Sequence, residues 1–341
     1  MGRGIVGFFG KAESSCLNRH ICRSITQYKT ENQSKQTHEA LHKNTDTAFH
    51  NFRSFLFVVY CNDGKNMLYS FCRKLYRVIS MKIFATDYDC TLRMGSGISE
   101  DNINAIKEFR RNGNLFGVVT GRDYENGYKV FKELNEFPFD YLILSNGACA
   151  YDFDGNELFC IRTDSNARIE GKNLATALVK KCLDLNVEYC GLYDGKTRYI
   201  FCSEFPSGGE IDGMTCSSLS VLDDIDSFIS GFAVFENDDV CAPMWQKVRD
   251  LFCGHIEVFR NGRSLDFTPK GVSKATGIQV LADRFGVKKE DIYSAGDNLN
   301  DISMLKEYHG CAMASGVKEA QDCAEFVCES VAKAIEIALK N

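Results

Sequence analysis

The sequence predicts an α/β fold: a doubly wound, mostly parallel sheet with an inserted α+β domain. Three observations lead to this prediction. From residue 81 onward, short apolar segments of strand length alternate with segments of helical periodicity, which is the pattern of a parallel sheet covered by helices. Polar motifs follow several of these strand segments directly, as expected where ligands bind beyond the carboxyl ends of parallel strands. Between residues 164 and 258 short strands and turns replace the alternation, and a chain of 341 residues has room for two domains.

The first 80 residues differ in composition from the remainder. They carry 12 lysines and arginines against 5 aspartates and glutamates, whereas the remainder carries 28 against 41. Residues 1–50 are polar without sustained periodicity, so we expect disorder there, while residues 52–79 fit an amphipathic helix. We interpret residues 1–80 as an atypical basic extension. Either Met81 is the natural start of the protein, or the extension is native and binds an acidic partner or surface.

The composition of the remainder excludes several classes of protein. A net charge of −13 on residues 81–341 opposes binding to the phosphate backbone of a nucleic acid. No segment is apolar over the roughly 20 residues that a membrane span requires, and no signal peptide with a cleavage site is evident. The 16 cysteines include no Cys-x-x-Cys pair, so we expect no structural zinc site. We therefore expect a cytoplasmic protein with reduced thiols.

The first part of the predicted core covers residues 81–163. Ser99 is a favoured N-cap for its first helix, and Gly113 is a stop signal after that helix. Asp154-Gly155-Asn156 is a turn sequence inside a hairpin. The predicted elements are strand 82–87, helix 99–112, strand 115–119, helix 123–135, strand 141–144 and hairpin 148–161.

The inserted domain is predicted over residues 164–258, and the second part of the core over residues 259–341. The insertion combines helical and strand periodicities, and the alternation of strands and helices resumes after it. The predicted elements are helix 168–185, strands 187–193 and 197–202, strands 255–260 and 264–268, helix 271–286, strand 291–295, short strands 310–313 and 325–328, and a final helix from Ser330.

Asp87 and Asp89 follow the first predicted strand and are one residue apart. Residues i and i+2 of a strand point the same way, so both carboxylates would face one spot beyond the strand. Two adjacent carboxylates repel unless a cation lies between them or one is protonated. The pattern suits Mg²⁺, or a nucleophile beside a proton carrier. Aspartate and threonine also favour turns and helix caps, so the motif alone does not fix its role.

The other strand ends supply complementary groups. Thr120 follows the second strand, where its hydroxyl and backbone N–H would lie at a helix N-terminus and bind an anion. Lys274 is near the start of helix 271–286 and can act as a point charge on phosphate, with Lys270 as its alternative. After strand 291–295, a glycine-led turn presents three further polar side chains. These are Asp297, Asn300 and Asp301. Carboxylates for a cation, with a lysine and a hydroxyl for an anion, indicate Mg²⁺-assisted phosphoryl transfer.

These motifs, in this order, resemble the haloacid dehalogenase superfamily of phosphatases. The motifs are Asp-x-Asp-x-Thr at 87–91, Thr-Gly-Arg at 120–122, Lys274, and Gly-Asp-x-x-Asn-Asp at 296–301. The long insertion is similar to the large α+β cap of the Cof-like branch. The Ser-Asn-Gly-Ala turn at 145–148 and the Lys-Gly-Val-Ser-Lys stretch at 270–274 also resemble that branch. The resemblance covers residues 81–341.

The resemblance implies roles for single residues. Asp87 would attack the phosphorus and form an aspartyl-phosphate, and Asp89 would carry protons. Asp87, the backbone carbonyl of Asp89, and Asp297 would hold Mg²⁺. The residues expected around them are Thr120, Lys274 and Asn300 on the phosphoryl group, with Thr91, Gly121, Arg122 and Asp301 in supporting positions. Asn300 would touch the phosphate or steady Lys274. Asp301 would support the metal's water shell or the lysine, or serve as a helix cap in a buried network.

We therefore expect a Mg²⁺-dependent phosphatase that hydrolyses small phosphorylated metabolites, with sugar phosphates first among them. A phosphomutase or phosphotransferase on the same scaffold is one alternative, and a non-catalytic sensor of a phosphorylated metabolite is another. The complete set Asp87, Asp89 and Asp297 favours an enzyme, because binding alone does not need a proton carrier. Cys90 stands where the branch usually has glycine, so the turn between the two aspartates departs from the pattern. The sequence does not predict an oligomeric state.

Overall fold

The computed structural model of this chain divides into two units, Met1–Val78 and Ile79–Asn341. The structure describes residues 81–95, 97–134, 137–202 and 208–341. The predictions for the basic extension, disorder in residues 1–50 and a helix in residues 52–79, lie outside the described residues. None of the described helices combines the length and the apolar composition that a membrane span requires.

The described residues contain 17 strands and eight α-helices. The strands are β1 (Ile83–Thr86), β2 (Leu115–Val119), β3 (Tyr141–Leu144), β4 (Cys149–Asp152), β5 (Glu157–Cys160), β6 (Arg168–Ile169), β7 (Lys172–Asn173), β8 (Tyr189–Tyr193), β9 (Arg198–Phe201), β10 (Glu210–Ile211), β11 (Met214–Thr215), β12 (Ser230–Val234), β13 (Ile256–Asn261), β14 (Ser264–Pro269), β15 (Ile292–Gly296), β16 (His309–Met313) and β17 (Phe326–Cys328). The helices are α1 (Glu100–Arg111), α2 (Val130–Leu134), α3 (Leu174–Asp184), α4 (Asp238–Phe252), α5 (Lys274–Phe285), α6 (Ile302–Glu307), α7 (Lys318–Cys323) and α8 (Val331–Lys340).

Eight strands form the first sheet, in the order β17-β16-β15-β1-β2-β3-β4-β5. β1, β2, β3, β15, β16 and β17 pair in parallel, and the hairpin β4–β5 adds two antiparallel strands at one edge. The predicted mostly parallel sheet is thus confirmed. The chain crosses from the edge strand β5 through the second sheet and returns beside β1 as β15. The neighbouring central strands β1 and β15 are therefore about 200 residues apart in the sequence.

Helices cover both faces of this sheet because successive side chains of each strand point to opposite faces. Phe84 of β1 packs against Phe109 of α1, with ring centroids 5.8 Å apart. Its neighbours Ile83 and Ala85 belong to a separate core cluster that contains Ile278 of α5. Three of these helices begin at serine caps: the side chains of Ser99, Ser273 and Ser330 accept the backbone N–H groups of α1, α5 and α8. The sequence predicts helix starts at Ser99 and Ser330, whereas α5 begins after the predicted start at residue 271.

The second sheet has five antiparallel strands in the order β13-β14-β12-β8-β9. Its apolar face packs on α3 and α4 in one cluster that includes Leu178, Val248, Leu192 and Leu265. The structure confirms an α+β arrangement for the insertion. Two details of the prediction do not fit, and both concern the ends of this region.

The helix predicted over residues 168–185 begins only at Leu174. Residues 168–173 form the small hairpin β6–β7, whose turn places Glu170 and Gly171 at φ 51° and 79°. Positive φ angles cannot continue a right-handed helix, so the helix starts after the turn, where Asn173 caps it.

The boundary predicted at residue 258 falls inside β13, since β13 and β14 pair with each other and β14 pairs with β12. The second sheet therefore runs to Pro269. The sequence showed both strands but not their partners, because the pairing of β12 with β14 joins segments about 30 residues apart. The helix that follows, α5, belongs to the first sheet.

Candidate active site

The site lies where the two central strands of the first sheet end side by side. The register of the parallel pair places Thr86 beside Ala295, and the backbone N–H of Asp87 donates to the carbonyl of Ala295 at 2.8 Å. Asp87 and Asp297 thus leave neighbouring strands at the same edge. Thr91 joins the two strand ends, because its hydroxyl donates to Oδ1 of Asp297 at 2.6 Å. The supporting role that the sequence predicts for Thr91 stays a prediction.

Lys274 lies at the centre of this cluster. It is the first residue of α5, and its side chain is 0% exposed. Its Nζ donates to Oδ1 of Asp87 at 2.5 Å and to Oδ1 of Asp301 at 2.6 Å. Lys270 instead is exposed and pairs with Glu257 at 2.8 Å. Of the two lysines that the sequence offers, the structure brings Lys274 to the aspartates.

Asp301 holds both the lysine and the turn after β15. Its Oδ2 accepts the backbone N–H groups of Asp297 and Asn298, at 2.9 and 3.0 Å. A Cβ atom at Gly296 would lie 2.5 Å from the Cβ of Asp301, so a larger residue would displace this carboxylate. Of the roles that the sequence left open for Asp301, the structure shows support of the lysine and capping of the turn.

Burial sets the electrostatics of this cluster. Burial raises the pKa of Asp87 to about 8, against the opposing attraction of Lys274. Burial also raises the pKa of Asp297, although the hydrogen bond from Thr91 opposes the shift. Burial alone would lower the pKa of Lys274, but the carboxylates of Asp301 and Asp87 outweigh it and raise that pKa above its usual value. Three carboxyl groups thus lie near one ammonium, and burial together with the charges of Asp301 and Asp297 favours the protonated form of Asp87.

This donor set fits a divalent cation. One carboxylate oxygen from each of Asp87, Asp297 and Asp301 lies within 4.8 Å of the others. Oxygen ligands of this kind are those that Mg²⁺ takes in proteins. Hydrogen bonds from Lys274 and Thr91 use Oδ1 of Asp87 and Oδ1 of Asp297, which leaves the second oxygen of each for a cation. Both oxygens of Asp301 are engaged, so it is the weakest ligand of the three.

The side chain of Asp89 does not join this cluster. It is 51% exposed and forms a bidentate pair with Arg122, whose Nε and Nη2 lie 2.9 and 2.7 Å from its two oxygens. The guanidinium also lies 5.1 Å above the ring of Tyr88. Arg122 thus orients Asp89 toward the rim of the site. The predicted metal contact of Asp89 through its backbone carbonyl stays a prediction.

Cys90 adopts the left-handed conformation, with φ 63°. This conformation favours glycine, because a Cβ atom crowds the following carbonyl. The backbone of the turn closes through bonds from Cys90 N to the Arg93 carbonyl and from Arg93 N to the Tyr88 carbonyl, at 3.0 and 2.8 Å. The turn between the two aspartates thus keeps a shape suited to glycine while it carries a cysteine.

Thr120 is buried beside the site, but its environment differs from the prediction. Its backbone N–H donates to the carbonyl of Ile143 in the neighbouring strand at 3.0 Å and so does not bind an anion. The helical segment begins only at Glu125, as a π-helical turn, so no helix N-terminus lies at Thr120. The sequence located the helix but not the loop before it. The hydroxyl accepts the backbone N–H of Arg122 at 3.2 Å, and the predicted contact of Thr120 with a phosphoryl group stays a prediction.

Asn300 is buried and bonds to Asn146 rather than to Lys274. Its Nδ2 donates to Oδ1 of Asn146 at 3.2 Å, and Nδ2 of Asn146 donates to Oδ2 of Asp266 at 3.0 Å. Gly121 allows this chain to pass, because a Cβ there would lie 3.0 Å from Nδ2 of Asn146. Burial raises the pKa of Asp266 to about 6, although the hydrogen bond from Asn146 opposes the shift.

A cavity of about 290 Å³ lies between this edge of the first sheet and one face of the second sheet. Gly121 and Arg122 line one side of it, and Tyr189 and Phe232 line the other. Across it Arg198 of β9 forms an ion pair with Asp123, with Nε 2.7 Å from Oδ2. Both polar and apolar side chains line the cavity.

Sequence reasoning missed Asp123, Arg198, Asn146 and Asp266 as members of the site. A signal was present for Asp266, because Ser264, Asp266 and Thr268 alternate with Leu265 and Phe267 along one strand. This alternation predicts a polar face opposite the core. For Asp123 and Arg198 the sequence carries no comparable signal, since they are far apart in the chain.

The profile of a family described as haloacid dehalogenase-like hydrolases matches residues 84–336. A 5-amino-6-(5-phospho-D-ribitylamino)uracil phosphatase of Bacillus subtilis is 24% identical over 266 residues, which cover 75% of this chain and 95% of that protein. A protein of Streptococcus pyogenes named as a bifunctional phosphatase/peptidyl-prolyl cis-trans isomerase is 26% identical over 261 residues. This second match covers 75% of this chain but 52% of the relative, so the chain spans about half of that protein's length.

Solved structures show the same fold. A phosphatase of this superfamily from Bacteroides thetaiotaomicron superimposes with a TM-score of 0.60 at 23% identity, over 76% of this chain and 95% of that chain. A sugar phosphatase of subclass IIB superimposes with a TM-score of 0.62 at 20% identity, over 75% of this chain and 98% of that chain. The predicted fold is confirmed, and so is the prediction of a hydrolase. The chain belongs to the haloacid dehalogenase-like hydrolase family.

Proposed function

We propose that this chain is a Mg²⁺-dependent phosphatase that hydrolyses small phosphorylated metabolites, with sugar phosphates first among them, through an aspartyl-phosphate on Asp87. The observation that carries the proposal is the buried lysine between two aspartates. Lys274 bonds to Asp87 and Asp301, and Asp297 is held beside them by Thr91. This arrangement presents a carboxylate nucleophile and a fixed positive charge at one strand end.

The residues that would hold Mg²⁺ are Asp87 and Asp297, joined by the backbone carbonyl of Asp89. When bound, the cation supplies charge neutralisation for the phosphoryl oxygens. Its attraction would also oppose the effect of burial on Asp87 and favour the ionised carboxylate. Asp301 would remain on Lys274 and on the turn.

The side chains of this site divide the chemistry between them. A carboxylate oxygen of Asp87 forms a bond to phosphorus, the ester P–O bond breaks, and Asp89 gives a proton to the departing alkoxide. Asp89 then takes a proton from a water molecule, whose oxygen bonds to phosphorus as the bond to Asp87 breaks. Lys274 and the hydroxyl of Thr120 bind the phosphoryl oxygens. Arg122 holds Asp89 at the rim of the site. When substrate binds, one of the two hydrogen bonds from Arg122 breaks and frees one carboxylate oxygen of Asp89.

Three observations support a small, polar substrate. The cavity of about 290 Å³ has room for a compact leaving group. Polar groups from both sheets surround it, including Asn146, Arg198 and Asp266. Relatives of this chain are named as phosphatases of a ribitylamino-uracil phosphate, and a structural neighbour is described as a sugar phosphatase. We propose sugar phosphates and related polyol phosphates as the first substrates to test, and a cytoplasmic location.

We also propose how the chain divides into domains. The core comprises residues 81–163 and 270–341, and the cap comprises residues 164–269. The cap ends at residue 269 rather than at the predicted residue 258 because β13 and β14 complete the second sheet. The cap would close over the strand ends, exclude water and select the leaving group.

The test is phosphate release by the purified full chain from a panel of sugar phosphates, with Mg²⁺ or with a chelator, and with no added acceptor. We expect release only with Mg²⁺, and Asp87→Asn should lower it by about 10⁴-fold or more because the nucleophile is lost. Asp250→Asn, on the exposed surface of α4, is the matched control and should retain full activity. Release that persists in Asp87→Asn would contradict the mechanism. Transfer to a second sugar without release of phosphate would indicate a phosphotransferase.

A further inference from the structure

Two cysteines, one after β9 of the second sheet and one after the small hairpin β10–β11, lie with their sulfur atoms almost in contact. The Sγ atoms of Cys202 and Cys216 are 2.7 Å apart, whereas a disulfide bond measures about 2.05 Å. Cys202 follows β9 directly, and Cys216 follows β11. The backbone fixes this approach, because Ser217 donates to the carbonyl of Ile200 at 2.7 Å, beside the pair. Bond formation therefore needs a movement of less than an ångström.

This pair differs from a metal site. Among the described residues, the only group of three or more cysteine, histidine or acidic side chains with ligand atoms close enough for a metal is the aspartate cluster of the active site. Structural zinc sites usually have four cysteine or histidine ligands. The chemistry open to the pair is thus that of a dithiol and its disulfide.

The pair anchors a hairpin that forms part of the cavity wall. Residues 208–216 fold back on themselves through bonds from Gly208 N to the Cys216 carbonyl and from Cys216 N to the Gly209 carbonyl, at 2.9 and 2.7 Å. Met214 of β11 lines the cavity. The hairpin also reaches a second lining residue, because the hydroxyl of Tyr189 donates to Asp212 at 2.9 Å. A bond at the base of the hairpin would therefore restrain two residues of the cavity wall.

We propose that Cys202 and Cys216 form a reversible disulfide that fixes the β10–β11 hairpin at the cavity. The oxidant is a low-molecular-weight disulfide. The thiolate of one cysteine attacks a sulfur of that disulfide, which forms a mixed disulfide and releases one small thiolate. The second cysteine attacks the protein sulfur of the mixed disulfide and releases the other small thiolate. The two cysteine protons pass to the released thiolates, so the protein dithiol is oxidised and the small disulfide is reduced to two thiols.

The environment of the two thiols sets their order of reaction. Cys216 is buried, with 3% of its surface exposed, whereas Cys202 is only partly buried. Burial, together with the hydrogen bond to Cys202, raises the pKa of Cys216 to about 11, and a raised pKa lowers the fraction of reactive thiolate. Cys202 is therefore the thiol that attacks first, and Cys216 resolves the mixed disulfide.

The first test measures the bond itself in the full-length protein and does not depend on activity. The protein is equilibrated with oxidised glutathione, and the remaining free thiols are alkylated. Mass spectrometry then measures the loss of two hydrogens in the intact protein and identifies disulfide-linked peptides after digestion. We expect a peptide that links Cys202 to Cys216, reversed by dithiothreitol and absent in Cys202→Ser and in Cys216→Ser. The control is Cys253→Ser. Cys253 is exposed at the end of α4, outside the hairpin, and this variant should keep the link. A link that joins other cysteines, or no link at all, would overturn the proposal.

The second test concerns the cavity and rests on the proposed phosphatase function. The oxidised form should show a KM lower by about 3- to 10-fold with kcat little changed. The disulfide would order one or two side chains of the cavity wall in advance, so substrate binding would no longer bear the entropic cost of ordering them. The difference should vanish in Cys202→Ser and persist in Cys253→Ser. An equal KM in both redox states would contradict the coupling to the cavity. If neither state releases phosphate, the proposed function fails, while the outcome of the mass measurement still decides whether the disulfide forms.

Discussion

The lysine–aspartate cluster and the neighbouring cavity are built in different ways. In the cluster, Lys274 and Asp301 are completely buried, and their charges are paired within a few ångströms. At the cavity, Arg122 is partly exposed, and its partner Asp89 is half exposed. The cluster uses residues from the ends of two central strands and one helix of the first sheet, whereas the cavity uses residues from both sheets.

This difference separates chemistry from recognition. The cluster depends on a few buried groups whose charges interact directly, so removal of Lys274 leaves buried carboxylates without their cation. The cavity wall depends on separate polar contacts, such as the partly exposed pair of Arg122 with Asp89, and exposed ion pairs contribute about 1 kcal/mol or less. Changes in the cluster should therefore affect stability and turnover strongly, and changes around the cavity should have smaller effects that depend on pH or on backbone strain.

The largest expected effect is that of Lys274→Met. This change leaves Asp87 and Asp301 without their shared cation in a buried site, and the loss of one partner of a buried ion pair costs about 3–5 kcal/mol. We expect the free energy of unfolding to fall by that amount, measured by urea denaturation in the presence of a chelator. Addition of Mg²⁺ should restore part of the loss.

The control for this change is Lys270→Met. Lys270 is exposed and pairs with Glu257 at the surface, and exposed ion pairs contribute about 1 kcal/mol or less. The two lysines are four residues apart, so the comparison isolates burial and charge pairing. Equal losses for the two variants would show that the cluster is not the stabilising network that its contacts indicate.

An intermediate effect is expected for Asp266→Asn. The pKa of Asp266 is raised by burial to about 6, above its value of about 3.9 in an unfolded chain. The folded protein thus holds this proton more tightly, and ionisation of Asp266 reduces stability as pH rises from about 4 to 6. The asparagine cannot ionise, so the variant should become more stable than the wild type across that window, by about 3 kcal/mol above it.

Urea denaturation of both proteins between pH 4 and pH 7 measures this difference. The amide of the variant can still accept the hydrogen bond from Asn146, so the loss of packing is small. Asp250→Asn, which lies on the exposed surface of α4, controls for the removal of a negative charge elsewhere. A difference between wild type and Asp266→Asn that stays constant with pH would contradict the buried environment of Asp266.

The smallest effect is expected for Cys90→Gly. Cys90 has φ 63°, and a side chain in this left-handed conformation costs about 1 kcal/mol relative to glycine. We expect the free energy of unfolding to rise by about that amount in thermal or urea denaturation. Asn186→Gly is the control, because Asn186 has φ 55° and asparagine tolerates this conformation better than cysteine. A larger gain at Asn186 than at Cys90 would exclude backbone strain as the cause.

The sequence predicted most of the first sheet because its strands and helices are signalled locally. β3 and the starts of α1 and α8 at their serine caps lie where their residue patterns place them. The start of α3 was missed, since the turn at Glu170 and Gly171 lies inside a stretch of helical periodicity. The membership of β13 and β14 in the second sheet was missed because strand pairing is a property of distant segments.

In the site, too, local signals could be predicted from the sequence and contacts between distant segments could not. Asp87, Asp297 and Lys274 could be found because each follows or begins an element of the first sheet, and parallel strands bring such positions to one edge. The sequence could not predict the partner of the Thr120 backbone N–H, because this group donates to a carbonyl of the neighbouring strand β3. The contacts of Asn146 with Asp266 and of Asp123 with Arg198 cross between the sheets, and no periodicity in the sequence reports them.

The measurement that tests the central claim most directly is the location of the phosphoryl group during turnover. The wild type, Asp89→Asn and Asp87→Asn are mixed with Mg²⁺ and a sugar phosphate that the wild type hydrolyses, quenched in acid, digested and examined by mass spectrometry. We predict a phosphoryl group on Asp87 in the wild type or in Asp89→Asn, and none in Asp87→Asn. A phosphoryl group on another residue, or phosphate release by Asp87→Asn at the wild-type rate, would contradict the assignment of Asp87 as the nucleophile.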